Sequence, residues 1–426
     1  MAQFRTDIKK LDGANLVTRY EVMMLSDRLS PSGTLTDGFG RMRVSHPYTL
    51  FDSQHRFQLN NKFSTTFATG GSLEYSNTQS SVLMSVNSAN NAEVVRESKY
   101  VMTYQPGKSL LIMNTFVFNT PKAGLRQRAG YFGAKDGVFL EQDGDILYLV
   151  LRSNITGTVV ETRIAQSDWN VDKFDGTGYS HQGETGHGDA LDVSKSNIFW
   201  IDIEWLGVGD VRCGFVVNGS MKIAHIFHND NVNTSTYMTT ACLPIRYEIK
   251  NTATQANSAT LKQICSTVIS EGGYEPRLEQ FHAGTELTKT TLSNTATYYN
   301  LVSLQLRPGR LDSVVKIDSG TVLGESNQNY MYKVVINPQV AGLSWQNHSH
   351  SNNAQYSVTG SKVTGGRVVA TGYITSAQGS IDLRAADVYL QIGRTLGGNS
   401  DIITLAVQSD SNNKTAAGML GWVEPI

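Results

Sequence analysis

The chain has 426 residues, enough for two or three domains at about 100–200 residues each. Its 36 Lys and Arg against 37 Asp and Glu leave a net charge of -1, which argues against a nucleic-acid binder, whose basic stripe is missing, and against charge-driven attachment to a membrane surface. Charged residues make up only 17%, against a usual fraction of about 25%, so the exterior is expected to be Ser, Thr, Asn and Gln, as on proteins covered by neighbouring subunits.

The N-terminal stretch MAQFRTDIKK lacks the apolar core of a secretion signal. No run approaches the roughly 18 apolar residues of a membrane span. The expected place of synthesis is therefore a reducing cytoplasm. Residues 1–45 pack turn formers closely, as in Ser30-Pro-Ser-Gly-Thr-Leu-Thr-Asp-Gly-Phe-Gly40, and read as an extended arm. Leu16, Val17, Met23, Met24 and Leu25 would lie against another subunit; an ordinary first strand is the alternative. Asn15–Leu25 carries weak helical periodicity.

Residues 46–275 show short alternating runs separated by Gly, Asn and Asp turns, the pattern of an all-β sandwich. Tyr131–Arg152, YFGAKDGVFLEQDGDILYLVLR, reads as three strands joined at Asp136-Gly137 and Asp143-Gly144. Trp200–Phe227, WIDIEWLGVGDVRCGFVVNGSMKIAHIF, reads as a second meander. Its Asn218-Gly219 is the strongest hairpin signal in the chain. About a dozen strands in all predict a large jelly-roll. Between the two meanders, Asp172–Asp192 is Gly-rich and polar, a long loop of the kind that carries function. Cys213, Cys242 and Cys265 sit in apolar segments as an odd, scattered set, so buried free thiols are expected rather than disulfides.

Glu271-Gly-Gly-Tyr-Glu-Pro276 is the best boundary signal. Residues 276–426 then form a second, smaller β-sandwich. Its strands are predicted at Leu301–Leu306, Ser313–Asp318, Tyr330–Asn337, Arg367–Ile374, Val388–Ile392 and Ile402–Gln408, with a weak helical turn near Ala385–Tyr389. The fold class is thus all-β: tandem antiparallel β-sandwiches, a large jelly-roll followed by a smaller sandwich, behind an extended N-terminal arm.

Catalytic constellations are scarce. There is no P-loop, Gly-x-Gly-x-x-Gly, His-Glu-x-x-His or Gly-x-Ser-x-Gly. Asp202 and Glu204 share one strand face, the spacing a glycosidase would use for its two carboxyl groups. The solvent face of an amphipathic strand gives the same pattern. In the long loop, Asp175, His181, Glu184, His187 and Asp189 offer metal-ligand chemistry at irregular spacing, as do Asp143-Gly-Asp145 and Asn229–Asn233 for calcium; turn chemistry accounts for all of them equally well. His348-Ser-His350 would form an octahedral metal site if three copies met on a threefold axis. Trp169, Tyr179 and Trp345 are loop candidates for an aromatic sugar platform, with packing as the alternative. No catalytic residue and no cofactor are expected.

Several stretches resemble a family of virion structural proteins of tailed bacteriophages, notably marine and cyanobacterial ones. They are SDRLSPSGTLTDGFGRMRVSHPYTLFDSQHRF (26–57), GYFGAKDGVFLEQDGDILYLVLRS, WIDIEWLGVGDVRCGFVVNGSMKIAHIFHND, LPIRYEIKN, LKQICSTVISEGGY, VVATGYI, IGRTLGGNSDIITLAVQS and GWVEPI. The resemblance implies a β-rich part of the mature particle and carries no catalytic motif. The strand rhythm of the first sandwich also looks like a laminin-G or concanavalin-type jelly-roll. The expected role is a non-enzymatic virion component, a tail, collar, baseplate or fibre element. Its partners would be copies of itself in a trimer or other cyclic oligomer, other virion proteins and a host-surface glycan, with no nucleic acid and no membrane insertion. Capsid decoration, a carbohydrate-binding module and a glycosidase-type depolymerase are the alternatives.

Overall fold

The computed structural model describes residues 46–177, 189–275, 277–374, 378–382 and 390–425, with two short strands, Arg5–Asp7 (β1) and Arg19–Glu21 (β2). β1 and β2 pair antiparallel, Arg5 opposite Glu21. The helical periodicity of Asn15–Leu25 is thus overruled at Arg19–Glu21, where pairing with a second strand satisfies the backbone that a weak helix would have satisfied alone. The remainder of the expected arm and Ala385–Tyr389 lie outside the described residues.

The first group of strands is β3 (Tyr48–Ser53), β4 (Phe63–Ala68), β5 (Gly71–Ser76), β6 (Ser81–Val86), β7 (Glu93–Ser98) and β8 (Ser109–Val117). A meander follows in β9 (Leu125–Phe132), β10 (Gly137–Asp143), β11 (Ile146–Ser153) and β12 (Val160–Ala165). A second meander is β13 (Asn197–Ile203), β14 (Val211–Val217) and β15 (Ser220–Phe227), after which come β16 (Ile245–Asn251) and β17 (Ala259–Glu271). Among the described residues the only helical turn is a 3-10 turn at Gln166–Asp168.

These strands form a two-sheet antiparallel jelly-roll. One sheet has seven strands in the order β12-β11-β10-β9-β16-β7-β4; the other has eight, β15-β14-β13-β8-β17-β6-β5 with β3 on β17. Alternation sends Val138, Leu140, Leu149 and Leu151 of the first meander inward, against Phe199, Ile201, Ile203 and Phe215 of the second. Polar groups inside this core are paired. The Tyr247 hydroxyl shares a 2.8 Å hydrogen bond with Ser266 Oγ. Arg96 donates from Nε to Gln263 Oε1 at 2.7 Å and from Nη1 to Thr65 Oγ1 at 2.9 Å. Burial pulls the Arg96 pKa down to about 10, which still leaves it charged at neutral pH.

The second sandwich begins with β18 (Leu278–Gly284), β19 (Thr290–Leu292), β20 (Tyr298–Leu306), β21 (Lys316–Leu323) and β22 (Tyr330–Ile336). β23 (Gln339–Val340), β24 (Gln346–Asn347), β25 (Ala354–Ser357), β26 (Lys362–Thr364) and β27 (Arg367–Ile374) follow. The last are β28 (Gln378–Asp382), β29 (Leu390–Gln391), β30 (Ile402–Ser409) and β31 (Lys414–Pro425). One sheet runs β18-β31-β21-β28 and the other β23-β26-β20-β30-β22-β27. Between them lies a separate apolar cluster around Leu304, Val334, Leu405 and Trp422.

The connection between β29 and β30 reaches back to the first sandwich. Arg394 N–H donates to Lys99 O at 2.9 Å, Leu396 N–H to Ser64 Oγ at 3.1 Å and Gln391 Nε2 to Val101 O at 3.1 Å. The Arg394 guanidinium bridges Glu97 at 2.6 Å and Asp312 at 2.7 Å, one carboxylate from each sandwich. Lys316 donates to the Tyr274 hydroxyl at 3.1 Å beside this seam.

Two glycines of the second meander do different work. Asn218 and Gly219 take φ of 53° and 77°, the left-handed pair a two-residue hairpin needs, and a Cβ on Gly219 would meet open space. Gly214 sits at a β-bulge opposite β15, where a Cβ would overlap the Lys222 carbonyl oxygen and come 2.5 Å from the Trp200 ring. Gly214→Ala is therefore expected to cost about 2–3 kcal/mol and Gly219→Ala about 1 kcal/mol. Thermal melts of the two variants check this; equal shifts in Tm would contradict it.

Candidate functional site

β13 turns Trp200 and Asp202 to the face opposite its core residues, and Glu204 follows just past the end of the strand. That face is not wet. Asp202 and Glu204 have no exposed surface and Trp200 has 2%, and Leu111, Trp200 and Ile223 form a second apolar cluster there. Asp202 is directly opposite Arg212 on β14 and forms an ion pair with it. Both expectations for these acids are corrected: they are neither a solvent-facing row nor a pair open to a sugar. An alternating strand reports only that its two faces differ in chemistry, and here the face that carries Asp202 is buried as well.

The outer face of the seven-stranded sheet follows the same rule on a larger scale. Arg128 of β9 lies opposite Glu141 of β10 on one side and Glu248 of β16 on the other. It contacts Glu141 at 2.5 Å, Glu161 at 3.2 Å and Glu248 at 3.4 Å. Arg152 opposes Glu161 and reaches it at 2.7 Å; Arg246 opposes Glu97 and reaches it at 2.7 Å. Phe132, Phe139 and Val150 are interleaved and buried, with Arg128 and Arg152 each 5.0 Å from the Phe139 ring centre. Burial works against the charge on Arg128, but Glu248, Glu141 and Glu161 outweigh it and hold its pKa above the ordinary value. Burial likewise opposes ionisation of Glu161 and Glu248, and their arginines outweigh it, so both carboxyls sit below the ordinary range.

The two meanders end at adjacent edges, β12 in one sheet and β15 in the other. Between them lies a groove of about 410 Å³. Leu151, Val160 and Phe227 give it an apolar floor, and His225, His228 and Tyr237 line it as well. Its wall is pinned by Asn170, whose amide exchanges two 2.9 Å hydrogen bonds with the Ile226 backbone. Asp210 holds the far lip, with Oδ2 2.8 Å from His228 Nδ1 and Oδ1 accepting Asn229 N–H at 3.1 Å. His225 Nδ1 accepts Asn170 N–H at 3.2 Å, and burial, helped by His228, lowers its pKa to about 4. Tyr237 is 4% exposed and its hydroxyl has no hydrogen-bond partner among the described residues. The groove has room and polar edges for a small hydroxyl-bearing ligand.

Of the aromatic candidates, Trp169 is 1% exposed, lies 6.0 Å from Phe215 and donates Nε1–H to Ile164 O at 3.2 Å. It is a core residue, corrected from a platform, because the loop that carries it folds back over the sandwich. Tyr179 lies outside the described residues, as do His181, Glu184 and His187. Of that loop's other acids, Asp175 accepts Thr177 N–H at 2.9 Å and Asp189 pairs with Lys222. Trp345 is half-buried before β24. Phe57 and Tyr373, at 85% and 75%, are aromatic rings open to solvent that sequence reasoning missed.

His348 and His350 lie in a turn, past the end of β24, so they do not share a strand face. His348 Nδ1 accepts the N–H of His350 at 3.3 Å and of Ser351 at 3.1 Å, and its ring packs 5.1 Å from Trp422. The ring thus serves its own loop, a correction to the paired-ligand geometry. The described residues contain no group of three His, Cys, Asp or Glu placed to hold a metal. Cys213 is buried and Cys242 and Cys265 are half-buried; all three are free thiols.

Removing Arg128 takes one arginine from each of the buried Glu141 and Glu248, leaving Arg163 on the first and Arg246 on the second. Arg128→Ala is expected to lose about 2–3 kcal/mol of stability, less than the roughly 3–5 kcal/mol of a buried charge left wholly unpaired, measured by denaturant unfolding. A loss below about 1 kcal/mol would show the lattice to be screened like a surface pair. A second expectation concerns acid. His55, 1% exposed, has its pKa lowered to about 4 by burial and then by Arg96, as His225 has by burial and His228. Both imidazoles ionise near 6.5 once unfolded, so the unfolded chain binds more protons between pH 6.5 and 4. Stability is then present above about pH 6.5 and is lost toward pH 4, by roughly 3–4 kcal/mol per histidine at most. A His55→Asn, His225→Asn double variant should flatten the pH dependence of Tm in that window; an unchanged slope would refute the assignment.

No family model matches the chain, and no curated protein matches it. Among solved structures, a protein of unknown function from Shewanella oneidensis MR-1 is similar at 13% identity, covering 60% of this chain and 98% of its own, with a TM-score of 0.33. The Emp47p carbohydrate recognition domain is similar at 14% identity over 52% of this chain and 95% of its own, with a TM-score of 0.33. The CBM2 module of the evolved Dit of Lactobacillus casei BL23 phage J-1 is similar at 8% identity over 54% of this chain and 98% of its own, with a TM-score of 0.32.

Proposed function

We propose that the chain is a non-enzymatic structural component of a tailed-phage particle, an oligomeric appendage or fibre element of the tail, collar or baseplate. The observation that carries the proposal is how its charge is used. The buried carboxylates Asp202, Glu97, Glu141 and Glu248 pair with arginines of the same sheets or of the seam, so they stiffen the block instead of facing a substrate. Arg394 extends the same device across the seam and holds the second sandwich to the first. A stiff two-sandwich unit suits a part whose mechanism is geometric. Copies arranged about a cyclic axis multiply weak contacts through effective concentration. The resemblance of segments over most of the chain to virion structural proteins supports the same assignment.

Light scattering on the purified chain is expected to return a trimer or other cyclic oligomer, and gold-labelled antibody should mark the tail or its base on intact particles. Label spread over the head would point to capsid decoration instead. A strict monomer that turns over a bacterial polysaccharide would overturn the proposal.

A further inference from the structure

Phe57 is 85% exposed at the tip of a loop between β3 and β4. A single exposed apolar side chain is ordinary. What sets this one apart is its surroundings and its anchoring. The loop closes a depression of about 260 Å³ lined by Gln54, Arg56, Gln58, Asn60, Asn61 and Lys62 around the ring. Within the loop, Asn60 Oδ1 is consumed by its own backbone, accepting Lys62 N–H at 2.8 Å, as Asp175 Oδ1 is elsewhere by Thr177 N–H at 2.9 Å. Gln54, Gln58 and Asn61 are different: they lie beside the ring with their hydrogen-bonding capacity uncommitted among the described residues. Lys62 already shares Asp52 at 3.3 Å, which leaves Arg56, 5.8 Å from the ring centre, as the lining cation with no carboxylate partner among the described residues. None of the lining side chains is acidic.

The loop is also held from beneath. His55 is 1% exposed; its Nδ1 accepts Asn60 N–H at 3.3 Å and its carbonyl accepts the Tyr75 hydroxyl at 2.9 Å. Buried Arg96 reaches up from the core to donate to Asn60 O at 3.2 Å. The ring and its amides are therefore presented by a backbone that does not have to be ordered on binding.

We propose that the Gln54–Lys62 loop is a binding site for an acidic saccharide. A flat ring accepts the C–H face of a sugar, carboxamides match vicinal hydroxyls with one donor and one acceptor each, and a guanidinium takes a carboxylate or phosphate in a paired contact. A protein partner would more naturally meet a contiguous apolar patch, and here one exposed ring is surrounded by amides. The site goes beyond the assembly role and does not rest on it, because it is complete within one chain.

The test uses the full chain on an array of uronate-containing, sialylated and phosphorylated oligosaccharides beside neutral glucans, with titration calorimetry on any member retained. Retention of acidic members is expected, weakened about tenfold or more by Phe57→Ala. Arg56→Gln should remove the preference for acidic over neutral sugars. An unchanged Tm in both variants separates lost binding from lost fold. No retention at millimolar sugar, retention of neutral members only, or binding that survives Phe57→Ala would each overturn the proposal, and none of these outcomes bears on the oligomeric state.

Discussion

Burying the outer face of a β-sheet obliges every ionisable side chain on it to find its counter-charge one strand away. In the first sandwich several of these side chains meet it across the ladder. Arg128 faces Glu141 and Glu248, Arg152 faces Glu161, Arg246 faces Glu97, and Asp202 faces Arg212, each pair directly opposite in the ladder. A slip of one residue would turn these groups to the other face, among leucines and valines, leaving charges unpaired in an apolar core. The ion pairs add little to stability compared with apolar packing, but they make alternative registers costly. The hydrophobic effect assembles the sandwich, and the charges select its register.

The same logic extends to the seam between the two sandwiches. Glu97 is already committed to Arg246 and also receives Arg394 from the second sandwich, which in turn holds Asp312. Backbone bonds from Arg394 to Lys99 and from Leu396 to Ser64 flank that bridge. A charge lattice that begins as a register device thus continues into the contact between the two units.

Much of the architecture was legible in period-two patterns. β9 to β11, the β13–β15 meander and its Asn218-Gly219 turn could be placed from alternation and turn chemistry, because both are local properties. The chemistry of individual side chains was far less legible. Asp202 and Glu204 alternate with isoleucines as they would on a wet face, and only the sheet's second apolar layer reveals that they are buried. Trp169 looks like a loop residue until the loop is seen folded over Phe215. His348 and His350 look like paired ligands until the turn claims His348 Nδ1. Phe57 escaped notice although SQHRFQLNNK, one aromatic among amides, was there to be read.

By itself the sequence determined the class of fold, the strand rhythm, the turns and the low net charge, because these follow from neighbours a few positions apart. The tertiary structure alone decided which charged residues are buried, which strands they oppose and which aromatic rings reach water. Those outcomes depend on contacts between residues far apart in the chain, such as Arg128 with Glu248 or Glu97 with Arg394, and on whether a second layer covers a face. Local periodicity carries no record of either, since β13 alternates as a half-wet strand would and yet its polar face is buried, with Asp202 paired to Arg212.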